Sequence, residues 1–533
     1  MGSPTSNPRV NVSILPAAIV DAFEDRRDLI VGQKRDTGSA ADGVLVQDVH
    51  TLTRAQIEAQ FGIGELYYRV LNWIDGNGGF GSAASPLDVI PVDDAASATA
   101  ATAVVTLTGN ATAAGTVTIS LVDEKLFTLN VAVTSGQTPT QIGDAIVAAV
   151  NNLTRPVFSA ANVAGVVTFT ALDLGTIANL YGIKVSDDVA GTTVTLTNDW
   201  ASGTPATGTP TVTSIFDVVS GTRYTGISWP EDWGAQLSVV TGFLDPRFNA
   251  TNAILDGVAF HGLSATFANA QSTVSPLNSQ SLVVGGNNLA SSQPAILHPP
   301  DWALANFMGI RARRLTPGAP IADQIVTTQG RLDAFGGPSL ASLPYFNTPL
   351  DNVPVTPPAD LYTGTEQVTL EAAGFTTFGV NIAGNAMIMG PVVTTWTTDS
   401  AGNENDSVLY LNFVDTASAA REIMHRTLRA TFAQSRLTEG TLIPGRSMAN
   451  PASIKAEVLR IYRVLADAAL VQAGSEAEGI FSRDTVVAIT GGNLANRSVT
   501  ITGPLPIVTQ LGVINYSLQL SFTLGETGTA VTF

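Results

Sequence analysis

The sequence predicts an α+β multidomain protein: a mixed α/β core, an inserted β-rich outer domain and extended terminal strands. Three observations predict it. A stretch of small residues and short β runs interrupts the chain between residues 95 and 209. Strict period-two alternation marks a strand near each end, and two long amphipathic helices, the second with a capped start, lie in the last quarter.

In chain order, Val10, Val12 and Ile14 alternate with polar residues and read as a strand within an arm at residues 1–20. Residues 21–94 form the first part of the core. The insertion at 95–209 opens with ASATAATA and closes with ASGTPATGTPT, small-residue segments that read as linkers. Between them, residues 104–108, 116–122, 126–133, 166–171 and 193–197 read as strands. Thr138 and Gln141 form a capping box, with Pro139 at the first helical position and an apolar stripe of Ile142, Ala145, Ile146, Ala149 and Val150. Residues 210–365 read as a middle α/β domain. Residues 366–510 read as a further domain: a short helix, two buried strands around a Gly-Asn turn, a hairpin with its loop at 399–406, then the two helices. The first, at about 417–436, buries Ala420, Ile423, Met424, Leu428 and Phe432. The second starts at Asn450 and Pro451 and runs to Gly474. In the arm at 511–533, Ile514, Tyr516, Leu518, Leu520, Phe522 and Leu524 alternate with polar residues. The terminal strands have two readings: each completes the chain's own sheet, or is donated to a neighbour's sheet edge.

Composition narrows the function. The 533 residues include no cysteine, which removes disulfides, thiolate nucleophiles and cysteine-held zinc. A net charge of −18 argues against nucleic acid or an anionic membrane as partner. Only 13% of residues are charged, so a chain that covers its surface with copies of itself is better served than a lone monomer. The first residues lack the apolar core of a signal peptide, and no stretch has the roughly 20 apolar residues of a membrane helix.

Catalytic motifs are missing. Gly76-Asn-Gly78-Gly-Phe-Gly81 matches GxGxxG, but it follows the end of a helix rather than a strand, and reads as a flexible loop. His50, His261, His298 and His425 have no metal-ligand spacing, and Asp399, Glu404 and Asp406 read as a solvated hairpin tip. No catalytic, cofactor or metal site is expected. One charge feature stands out. Residues 421–463 carry eight basic and three acidic side chains, net +5, against −23 for the rest. Arg421, His425 and Arg429 step by four toward Arg436. This stripe is either a solvated helix face or a contact surface for an acidic partner.

The segment VVTTWTTDSAGNENDSVLYLNFV leading into the Arg-rich helix resembles the C-terminal part of contractile tail sheath proteins of phages, tailocins and related injection machines. The Thr394-Thr395-Trp396-Thr397 run before Asp399 and Gly402 is its most specific piece. The opening ILPAAIVDAFEDRRDLIVGQK and the terminal strand also fit; through the middle region the likeness is one of order and length. The resemblance implies a tail-sheath-like core and a structural subunit, not an enzyme, that polymerises as stacked hexameric rings around a tail tube in the virion. It would be assembled in the host cytoplasm and would contract to drive the tube through a cell envelope. Its partners would be its own copies, the tube protein, and baseplate and tail terminator proteins, with no direct nucleic-acid binding and no integral membrane contact. Val10, Val12, Ile14, Ile514, Tyr516, Leu518, Leu520 and Phe522 would lie in intersubunit strands. Arg421, His425, Arg429 and Arg436 would face the tube, and 95–209 would point outward. The alternative is a virion decoration or adhesin protein whose 95–209 domain binds a surface glycan.

Overall fold

A computed structural model describes residues 9–14, 26–122, 126–153, 155–198, 200, 204–247, 256–289, 299–315, 345–355, 361–432, 434–467, 470–490 and 498–508. Its centre is a seven-stranded sheet. From one edge the strands run Leu87–Val92, Arg27–Gln33, Tyr224–Trp229, Val258–Gly262, Leu282–Gly286, Phe375–Val380 and Ala386–Met389. The first six are mutually parallel and the last is antiparallel. Parallel strands are covered on both faces, so their sequences are mostly apolar rather than alternating, with buried polar residues such as Asp28, Asp88 and Ser228 among them. Val258–Gly262 and Leu282–Gly286 are buried at every position.

Successive residues of one strand point to opposite faces. Ile30, Val89, Phe260 and Val283 join one core, while Leu29, Val31, Ile90, Ala259, Leu282 and Val284 join the other. Helices Glu65–Gly76 and Pro300–Leu315 cover the first face. Helices Leu237–Leu244, Phe267–Val274 and Gly364–Ala372 cover the second.

The insertion leaves after Leu87–Val92 and the chain returns before Tyr224–Trp229. Its strands pair only with each other among the described residues. One sheet is ordered Thr193–Asn198, Ala100–Thr108, Val166–Leu174, Phe158–Val163; the other is Leu126–Val133, Gly115–Val122, Ile183–Asp187. Helix Pro139–Asn151 packs against both sheets and starts at the Thr138–Gln141 capping box that the sequence shows. Phe158–Val163 and Ile183–Asp187 escaped sequence reading because the alternation of the first slips at Ala160-Ala161 and the second offers only two apolar positions, Ile183 and Val185.

Beyond the sheet, helices Leu411–Phe432, Pro451–Asp467 and Ser475–Asp484 enclose a third core with Val499 and Ile501. Two boundaries differ from the sequence reading. The first helix begins at Leu411 and stops at Phe432, and Arg436 sits on a two-residue strand paired with Met448–Ala449. The second ends at Asp467, and Gly474, at φ 120°, opens the next helix instead of closing this one. Its start matches: Asn450 Oδ1 accepts from the Ser453 N–H at 2.8 Å, and Ser453 Oγ accepts from the Asn450 N–H at 3.0 Å. Segment 399–406 is a turn bridged at Thr398 and Glu404 rather than the loop of a regular hairpin.

The GxGxxG segment is in part a packing device and not wholly a flexible loop. Asn77 is fully buried, and its amide donates to Ser85 Oγ and Gly309 O, both at 3.2 Å. Helices Glu65–Gly76 and Pro300–Leu315 touch backbone to backbone there. A Cβ at Gly76 would lie 2.1 Å from Asn306 O, and one at Gly309 would lie 2.3 Å from Trp73 O. Gly309→Ala therefore sets about 1 kcal/mol of gained helix propensity against about 1–3 kcal/mol of overpacking. A net loss of stability is expected in urea unfolding; an unchanged or raised midpoint would show that the crossing is loose.

Candidate functional site: terminal sheet and basic helix

Strand Arg9–Ile14 lies antiparallel to Val499–Pro504, with Val10 opposite Gly503, Val12 opposite Ile501 and Ile14 opposite Val499. Val499–Pro504 pairs on its other side with Val486–Ile489, giving a three-stranded sheet beside the Leu411–Phe432 helix. In this single chain the first terminal strand thus completes the chain's own sheet. Ile514, Tyr516, Leu518, Leu520 and Phe522 lie outside the described residues.

The basic stripe divides. Arg421 is buried and forms an ion pair with Asp256, one end of a charge network that sequence spacing did not reveal. His425 and Arg429 are half-buried on the helix, and Arg436 is exposed beyond its end. The physical reason is the register. Residues 415, 418, 421 and 422 fall on the helix face turned to the sheet, so Arg421 points inward with Asp415, Ser418 and Glu422.

Each of these meets a partner from a distant segment. Arg311 grips Asp415 with two bonds, Nε at 2.9 Å and Nη2 at 2.5 Å, while the Tyr345 hydroxyl donates to the same carboxylate at 2.7 Å. Arg311 also donates to Thr225 O at 2.8 Å, tying the helix to a central strand. Glu422 accepts from Arg26 at 2.5 Å and from Arg223 at 2.9 Å. Ser418 accepts from Arg223 at 3.1 Å and donates to Asp256. Four guanidiniums, Arg26, Arg223, Arg311 and Arg421, thus face three carboxylates, Asp256, Asp415 and Glu422. A fourth, Asp28, accepts from Trp73 and Thr225, and burial pushes its carboxyl up to about 6. Burial alone would raise Glu422 as well, but the charges of Arg26 and Arg223 overcome it and hold the carboxyl down at about 2. Asp256 is likewise lowered against its burial by Arg421 and Arg223. Arginine residues spread from 26 to 421 carry no local motif, so only the fold brings them together.

No group of His, Asp and Glu side chains among the described residues could hold a metal ion. His50 Nδ1 accepts from the Leu87 N–H at 3.2 Å, and His261 is buried at a strand end. His298 lies outside the described residues. Asp399 accepts from the N–H groups of Ala401 and Asn403, both at 2.9 Å, so it closes its own turn. No helix among the described residues is long and apolar enough to cross a membrane. The arrangement supplies strands, charge and packing surfaces.

No family model matches the chain. A curated relative does: a Mu-like prophage FluMu tail sheath protein of Haemophilus influenzae, 26% identical over 465 residues, covering 83% of each chain. This chain is similar to a tail sheath protein over most of its length. Among solved structures, it overlaps a sheath tail protein from Listeria innocua at 11% identity and a TM-score of 0.44. That match covers 92% of this chain and 93% of the other. A sheath tail protein from Desulfitobacterium hafniense gives 12% and 0.40, over 89% and 92%. The helical sheath of the anti-feeding prophage in its contracted state gives 11% and 0.43, over 95% and 96%.

The Glu422 cluster makes a mutational expectation. Glu422→Gln leaves Arg26 and Arg223 enclosed without their carboxylate, at a cost of about 3–5 kcal/mol in urea unfolding at neutral pH. A carboxyl held below its ordinary value stabilises the fold above about pH 4.5, and that contribution fades as pH falls toward 2. The variant's deficit should therefore shrink on acidification. A deficit independent of pH would assign the loss to shape rather than charge.

Proposed function

We propose that this protein is the structural subunit of a contractile tail sheath, polymerising as stacked hexameric rings around a tail tube and contracting to drive the tube through a cell envelope. The similarity to a tail sheath protein over 83% of both chains carries this reading. The chain then works without catalytic chemistry: its partners are its own copies, the tube, and baseplate and tail terminator proteins, and its place is the virion, after assembly in the host cytoplasm.

The terminal segments serve as linking arms in this reading. Main-chain hydrogen bonds between strands hold two subunits together whatever the side chains, and a strand on a short tether swings while its ladder stays intact. Val486–Ile489 and Arg9–Ile14 are the outer strands of the three-stranded sheet, so a further strand adds at an edge without breaking a bond. The tube-facing role falls to Arg429 and Arg436 with His425, while Arg421 serves inside. Surface charge pairs are individually weak, but repetition around a ring fixes register. The insertion points outward. Phe158, Phe169, Tyr181 and Trp200 of the insertion are interior, so none of these four offers an aromatic platform for a glycan.

Electron microscopy of the purified chain, alone and with its tube protein, tests the reading. Hollow striated tubes are expected; dispersed particles under both conditions would overturn it. Deleting residues 512–533 should abolish tubes while circular dichroism stays that of a folded chain, and normal tubes from the truncation would remove the arm model. Arg429→Glu with Arg436→Glu should weaken assembly on the tube but spare tubes of the sheath alone. Unchanged tube binding would make these two side chains ordinary surface.

A further inference from the structure

The inserted unit meets the sheet where four carboxyl groups are shut away together. Glu65 opens the Glu65–Gly76 helix and Asp301 is the second residue of Pro300–Leu315. Glu231 and Asp232 lie on the turn that follows Tyr224–Trp229. This is the carboxyl end of the parallel strands, the crevice that open α/β sheets leave free. Here the insertion fills it.

The contacts are specific. Asp301 accepts from the N–H groups of Gly262 at 2.7 Å and Glu231 at 2.6 Å. Glu231 accepts from the Ser264 N–H at 2.5 Å, and Asp232 accepts from the Thr176 hydroxyl of the insertion at 2.9 Å. Beside them Arg35 pairs with Asp173 of the insertion at 2.9 Å, Tyr181 donates to Asp173, and Gln33 donates to both Leu174 O and Asp94.

The charges do not balance. Arg69 pairs with Glu65 at 3.0 Å and is the guanidinium nearest the four; its Nη2 is committed to Val31 O at 2.8 Å. His261 also faces the cluster, but burial lowers its pKa, so it stays neutral and adds no positive charge. Tyr362 near Glu231, and Asp173 near Glu65, add none either. Glu65 Oε2, Glu231 Oε2 and Asp232 Oδ1 are enclosed with no hydrogen-bond donor. Four ionised carboxylates in such a place would lack compensation several times over. Protons supply it. Burial pushes Glu65 and Glu231 up to about 8 and Asp232 to about 7, and it raises Asp301 too. Across the seam, burial likewise pushes Asp94 up to about 6, with Asp36 close by.

The geometry points to a proton-gated latch: the insertion stays docked on the carboxyl ends of the sheet strands while Glu65, Glu231, Asp232 and Asp301 share protons, and loosens along this seam when they ionise. The sign follows from linkage. Carboxyls raised in the docked state stabilise it fully below their ordinary range, and the contribution is lost as pH rises toward about 8. Docking therefore weakens with alkalinity, opposite to the Glu422 network, which weakens with acid.

Hydrogen exchange of the full chain, read by mass spectrometry between about pH 6 and pH 9.5 with labelling times scaled to the intrinsic rate, tests this latch. Residues 94–99, 173–180 and 204–212 should lose tenfold or more of their protection near pH 8, reversibly, while Val258–Gly262 and Leu282–Gly286 keep theirs. Asp232→Asn keeps an acceptor for Thr176 but cannot ionise, and should move the transition up by about one pH unit. Thr176→Val, which removes the insertion's donor and leaves the core untouched, should move it down. Constant protection of the seam through pH 9.5 would overturn the latch. So would loss of protection spread evenly over seam and sheet, or transitions in both variants that coincide with the unmodified chain.

Discussion

Helix Leu411–Phe432 is fastened to the sheet by charge, and the third core, with helices Pro451–Asp467 and Ser475–Asp484, is built on that helix. Its first turns contribute Leu411 and Val414 to the core on one face of the sheet, and its later turns contribute Ala419, Ala420, Ile423, Met424 and Leu428 to the third core. Between the two lie Asp415, Ser418 and Glu422, gripped by arginines from three distant segments, and Arg421, paired with Asp256. Apolar packing resists separation but tolerates sliding and rotation. A bidentate guanidinium–carboxylate pair fixes both angle and register. The helix that carries the terminal sheet therefore holds one orientation relative to the main body.

Much of this was legible before any coordinates. The capping box at Thr138 and Gln141 and the Asn450-Pro451 start mark helices as the structure has them. The hidden parts share a cause. Arg26, Arg223, Arg311 and Arg421 are scattered along most of the chain, so no window holds the network, and a basic residue on an amphipathic helix reads as surface by default. Arg421 misled for that reason. Gly76 misled differently: a glycine string that signals flexibility when read locally is, in space, the site where two helix backbones meet. Helix ends at Phe432 and Asp467 were misplaced because the sequence just beyond them, Ala433-Gln434 and Ala468-Ala469-Leu470, keeps helical propensity.

The two buried charge clusters follow opposite designs. Around Glu422 four guanidiniums meet four carboxyl groups, and Glu422 and Asp256 stay ionised against burial. Around Glu231 negative groups outnumber positive ones, and burial wins. The first fixes a helix that belongs to the main body. The second joins an insertion to a sheet whose own strands complete their pairing without it, which explains how so large an excursion leaves the parallel order intact.

The pairing of Arg9–Ile14 with Val499–Pro504 has a temporal side. Ribosomes deliver a chain from its amino end, and domains settle as they emerge. The first strand of the terminal sheet is thus made almost five hundred residues before the strand it pairs with. Until then it waits without a partner, and the sheet closes only after Val499–Pro504 has been made. Translation itself acts as the clock: a nascent chain lacks the ladder, and a truncated product never acquires it.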